Sequence, residues 1–182
     1  MWFSNLISAF NGYKNFSKIN NQNTKIVFYL ENYNYWAYFE TIFNSLIKNY
    51  NHKIIYLTSD INDKLLKSKD NNFKTFYIGT GIFRTIFFST LNVKFLVSTL
   101  PDLNNFHIKK SKYKVKYLYL HHSLVSTHMI YNEKAFDAFD IIICAGKHHV
   151  KEIRARETIL RLKKKKLLEL GYPKLDYIHK NK

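Results

Sequence analysis

The chain has 182 residues, with 29 Lys and Arg against 13 Asp and Glu, a formal net charge of +16. A hydrophobic fraction of 46%, of which aromatic residues alone make up 17% of the chain, excludes a disordered protein. The single cysteine, Cys144, excludes a disulfide framework and a cysteine-rich zinc module.

The first residues place Phe3, Leu6, Ile7 and Phe10 at helical spacing. That predicts a short amphipathic segment over 1–23, either docked on the rest of the chain or lying on a membrane surface. It has no basic leader and no small-residue cleavage site, so a secretory signal is not expected. From Lys25 onward, strand-length apolar runs alternate with segments of helical period. Ile26 to Leu30 reads as a strand, followed by a helix with Trp36, Phe39, Phe43, Leu46, Ile47 and Tyr50 on one face. Ile54 to Leu57 is a second strand, with a short helix marked by Ile61, Leu65 and Leu66. Phe76 to Ile78 is a third, entering Gly79-Thr80-Gly81 and a helix from Ile82 to Leu91. Phe95 to Val97, Val115 to Leu120 and Ile141 to Cys144 complete six strands. A long helix over Gly146 to Lys166, a short strand Leu167 to Leu170 and a Gly171-Tyr172-Pro173 turn close the pattern. The polar stretch Asn104 to Lys114 reads as a surface loop.

Strands that are apolar on both faces and start 20 to 30 residues apart specify a parallel sheet with crossover helices. The expectation is a doubly wound, Rossmann-like α/β domain over 24–172 with a mainly parallel sheet. No segment is long and apolar enough to span a bilayer; Asn92 and Lys94 interrupt the longest run, Thr85 to Leu100.

Ligands of such sheets sit beyond the carboxyl ends of the strands. The segment after the fifth strand is the richest in chemistry: His121, His122, Ser123, Ser126, Thr127 and His128. A histidine there could act as general base on a sugar or glycerol hydroxyl, or bind a phosphate oxygen when protonated. The alternative is a pair of loop histidines with satisfied hydrogen bonds. No carboxylate or cysteine follows at a ligand spacing, so no metal is expected, and no cofactor either. Gly146, Lys147 and His148, between the sixth strand and the next helix, form a candidate phosphate site, because a glycine there lets backbone N–H groups approach an anion. His148 with Glu152, one turn apart, and His149 with Glu152, three apart, both read as solvated pairs on the helix. Gly79 and Gly81 make either a tight turn or an acceptor contact. Asp102, after Pro101, either forms a turn or orients a histidine or a hydroxyl; Glu31 has the same two readings. Residues 107 to 182 hold 18 cations and 7 carboxylates. Aromatics are not interleaved on the basic face, so a solvated face or loose attachment to an anionic membrane fits better than nucleic acid. Only four of the cations are Arg, a lysine bias that an AT-rich genome also produces.

The order of His122-Ser123, Phe136 to Gly146, Glu152-Ile153 and Leu170-Gly171-Tyr172-Pro173-Lys174-Leu175-Asp176, with Val97 to Leu103 before them, resembles the CDP-glycerol glycerophosphotransferases, the polymerases and primases of teichoic acid and capsule. The resemblance covers about residues 24 to 180 and implies the amino-terminal half of a GT-B architecture. It implies that His122, or its neighbour His121, takes the proton of an acceptor hydroxyl that attacks the β-phosphate of CDP-glycerol, releasing CMP. Ser123 stands where the family usually has a glycine. Ser123, Ser126, His128, Asp102, Gly79 and Gly81 become candidate acceptor contacts. The resemblance further implies a lipid-linked or polymeric glycan or polyol-phosphate acceptor and a cytoplasmic enzyme, peripheral at the inner face of the plasma membrane. CDP-glycerol itself belongs to a second domain, missing from this chain, toward which 173–182 leads as a linker. The alternatives are another GT-B nucleotide-sugar glycosyltransferase and a non-enzymatic basic α/β module binding membrane or nucleic acid.

Overall fold

The computed structural model describes residues 2–19, 25–105 and 108–182. The expected boundary at residue 23 and the middle of the Asn104 to Lys114 loop lie outside the described residues, as does the side chain of Phe3. Seven strands form one all-parallel sheet: β1 (Ile26–Leu30), β2 (Ile54–Thr58), β3 (Phe73–Tyr77), β4 (Phe95–Ser98), β5 (Lys116–Leu120), β6 (Ile141–Cys144) and β7 (Lys166–Glu169). Their order is β3-β2-β1-β4-β5-β6-β7. The chain therefore winds outward from β1, returns beside it as β4, and winds outward the other way. The doubly wound expectation holds, and the order reverses between β1 and β4.

Each central strand is apolar on both faces because helices cover both. Val27, Tyr29, Leu57, Tyr119 and Cys144 pack with α1 (Trp2–Ser17), α3 (Gly81–Thr90) and α4 (Lys147–Ile159). Phe28, Leu30, Tyr56 and Leu120 pack on the other face, under α2 (Trp36–Lys48) and α5 (Pro173–Lys180). Trp36, Phe39 and Phe43 of α2 sit three and four apart and are buried there, as that spacing requires.

Three elements differ from the sequence reading. Strand β3 begins at Phe73, earlier than expected, since its polar Lys74 and Thr75 are tolerated at the sheet's edge. The expected long helix to Lys166 stops at Ile159: Arg161 takes a left-handed φ of 50°, and the Leu162 N–H bonds back to the Glu157 carbonyl at 2.9 Å. This is a Schellman-type end made without glycine, so no punctuating residue announced it. Lys165, in the run read as solvated, is buried beside Glu157, whose carboxylate accepts its N–H at 2.8 Å. Residues 173–182, read as linker, mostly form α5, which starts on Pro173 at its first turn and packs against α2.

Candidate active site

The carboxyl ends of β1, β4 and β5 meet at the reversal of strand order, where open α/β sheets leave a crevice. Adjacent residues of an extended chain point to opposite sides, and His121 and His122, just past β5, do so. His122 is half-buried in a ring of tyrosines. Tyr35 from the turn after β1, Tyr38 from α2 and Tyr131 from the loop after β5 present ring centroids at 5.7, 6.1 and 6.3 Å from its own. Its Nδ1 lies 3.1 Å from the Tyr119 hydroxyl. Its carbonyl accepts the Tyr172 O–H at 3.0 Å, which fixes the backbone. Lys174 Nζ donates to the Tyr38 hydroxyl at 3.2 Å at the rim of this crevice. Burial holds the His122 pKa below the ordinary 6.5, partly opposed by a bond to the Thr99 backbone. The imidazole is therefore neutral near pH 7 and able to take a proton.

His121 is only 1% exposed, and neither ring nitrogen has a partner. It stacks on His149 at 3.9 Å between centroids, against Tyr119 and Phe136. Burial first, then its neighbours His149, His122 and His148, push its pKa down to about 3. Of the two, only His122 has any exposure to offer a ligand.

The other expected contacts divide. Ser123 accepts the Val125 N–H at 3.4 Å and lies next to His122. Ser126 and His128 bond to each other at 2.9 Å, and His128 is 3.9 Å from Glu152. Glu152 accepts both the N–H and the hydroxyl of Thr127 at 2.6 Å. It pins the loop after β5 rather than pairing with His148. These hydrogen bonds hold the Glu152 carboxyl below its usual range against the effect of burial. His149, expected as a solvated partner of Glu152, is instead buried and braces the same loop from α4: it lies 3.0 Å from the Val125 carbonyl and accepts the Ala145 N–H at 3.3 Å. Asp102 has a left-handed φ of 61°, accepts from Asn132 at 3.1 Å, and its N–H donates to the Ala135 carbonyl. It acts as a turn former holding the far end of that loop.

Gly79 and Gly81, both at positive φ, build the β3–α3 turn. They lie four strand spacings from β5, roughly 19 Å at the usual 4.8 Å, so the sheet does not bring them to His122. Gly146, Lys147 and His148 do lie on the neighbouring strand's end; α4 has no side-chain cap there, and Lys147 and His148 are exposed. At the end of β1, Glu31 is held by the buried Arg84 at 2.5 Å, and Arg84 also reaches the Tyr29 hydroxyl at 3.1 Å. The one charged residue in an otherwise uncharged helix is the sequence signal for Arg84. Cys144 is buried, which raises its thiol to about 11 and leaves it inert as a nucleophile. Among the described residues no three metal-binding side chains converge. The sequence matches no protein-family model and no curated protein, so the functional reading rests on this geometry and on the motifs.

Proposed function

We propose that the chain is the acceptor-binding domain of a CDP-glycerol glycerophosphotransferase-like enzyme. The observation that carries the reading is His122, an imidazole half-buried among tyrosines at the reversal of strand order. In the proposed reaction an acceptor hydroxyl attacks the β-phosphate of CDP-glycerol. A new P–O bond forms, the bond to CMP breaks, and His122 takes the hydroxyl proton. The tyrosine hydroxyls around it suit a polyol, and aromatic edges exclude water from the attacking oxygen. On this reading the donor, CDP-glycerol, is bound by a partner Rossmann-like domain and not by this one. The acceptor is lipid-linked or polymeric, which places the enzyme peripherally at the inner face of the plasma membrane.

The test is glycerol-phosphate transfer to a polyol-phosphate acceptor by the chain supplied with its donor-binding domain. His122→Ala should lower turnover by about 10²-fold or more. His121→Phe, on the inward side, should not. Near-normal turnover in His122→Ala overturns the reading.

A further inference from the structure

We propose that α1, α3 and the lysine-bearing segment 108–114 together form the surface by which this protein docks on an anionic lipid bilayer. The inference deepens the peripheral location above, and it rests on that reading only for which membrane is meant.

Five large apolar side chains stand out of this face: Ile7 and Phe10 on α1, and Ile82, Phe83 and Ile86 on α3, between 42% and 77% exposed. They are one surface, because Tyr13 of α1 bonds to the Thr90 hydroxyl at 3.3 Å and sets its ring edge-on to Phe87 at 5.7 Å. An apolar groove of about 220 Å³ runs between the helices, lined by Phe10, Tyr13, Phe83 and Ile86 over Ala9. Soluble surfaces seldom collect side chains of this size without something to cover them.

The margin of the patch is basic. Lys14 continues the Ile7 and Phe10 stripe along α1. Two anchors, the Ser111 hydroxyl donating to the Leu91 carbonyl at 2.6 Å and the Lys112 N–H donating to the Ser89 carbonyl at 3.0 Å, fasten the lysine segment to the end of α3. Exposed Lys109, Lys112, Lys114 and the half-exposed Tyr113 thus flank the apolar centre. The sequence has no carboxylate in 1–30, in 71–101 or in 103–132, so no acid belongs to either helix or to the segment. An apolar centre with a cationic, carboxylate-free rim and an interfacial tyrosine matches the depth profile of an anionic leaflet. A second copy of this chain would set cationic rim against cationic rim. No helix among the described residues is long and apolar enough to cross a membrane, so the contact is lateral.

The test is flotation of the protein with phosphatidylglycerol-containing vesicles and with phosphatidylcholine vesicles, in the absence of nucleotide. Wild type should float with the anionic vesicles. The variant Phe10→Ser/Ile82→Ser/Ile86→Ser, changed only at exposed positions and checked by circular dichroism, should bind at least about tenfold more weakly. Lys112→Gln and Lys114→Gln should each cost about fivefold on anionic vesicles only, and less at high salt. Failure of wild type to float overturns the proposal, as does unchanged flotation of the serine variant. So does a homodimer in light scattering that the serine substitutions dissolve, which would make the face a contact between copies. Transferase activity enters none of these readouts, so the His122 assignment and the lipid surface stand or fall separately.

Discussion

His121 shows how one residue's direction decides its chemistry. A half-turn of extended chain separates it from His122, yet it is packed between Tyr119, Phe136 and His149 with both nitrogens unpartnered. A buried donor without a partner costs about 1–3 kcal/mol. His121→Phe keeps a ring of similar shape and removes that donor, so at pH 7.5 stability should be unchanged or rise by about 1 kcal/mol. The pH dependence has a definite sign. Burial lowers the folded pKa to about 3 from an ordinary 6.5, so on acidification the unfolded chain binds the proton first. The contribution is fully present above about pH 6.5 and is lost as the pH falls from there toward 3. His122 and His149, also shifted down by burial, act in the same direction. Urea midpoints at pH 7.5 and 5.0 check this: wild type should lose more stability between them than His121→Phe. Equal losses would mean His121 is solvated in the folded state.

At the scale of elements, α1 is held by a close approach that its own periodicity does not reveal. A Cβ at Gly12 would lie 1.9 Å from the Tyr77 carbonyl oxygen, so the helix can cross β3 only because residue 12 has no side chain. In a free helix Gly→Ala stabilises by up to about 1 kcal/mol. Here Gly12→Ala should instead destabilise by about 1–3 kcal/mol, since backbone on both sides must give way. A gain in the urea midpoint would show that α1 does not lie against β3. The strands were legible because burial on both faces makes them apolar runs, from Ile26–Leu30 to Ile141–Cys144. Less legible were elements whose ends are set by tertiary contact: Arg161 stops α4 without a glycine, and α5 exists because Tyr177 is packed onto α2's side of the sheet. The site divides the same way. A histidine at the end of β5 could be read directly from the sequence. Its surroundings could not, because Tyr35 with Tyr38, Tyr131 and Tyr172 come from three separate stretches that only the winding of the sheet unites.

For the whole molecule the question is where the +16 charge acts. At the His122 cluster Lys174 reaches the Tyr38 hydroxyl. Lys110, Lys116, Lys163, Lys164 and Lys166 instead line a groove of about 430 Å³ at the opposite, amino edge of the sheet, beside Asp137 and Asp140. Pairs such as Arg84 with Glu31 and Arg154 with Glu157 each take up one charge of either sign, so the net excess of +16 is left to the remaining side chains. So many like charges on a domain of this size repel one another across the surface, and salt screens exposed charges within about 10 Å at 0.1 M. Raising NaCl from 20 to 300 mM should therefore raise the Tm by about 3 °C, the equivalent of roughly 1 kcal/mol of relieved repulsion. A flat or falling Tm would mean that local pairing already neutralises the excess. Phosphate at matched ionic strength separates diffuse screening from a built anion site. If millimolar phosphate adds nothing beyond NaCl, the exposed backbone of Gly146, Lys147 and His148 has no phosphate affinity of its own. A gain specific to phosphate and removed by Lys147→Met would locate anion binding at that turn, on the strand next to His122.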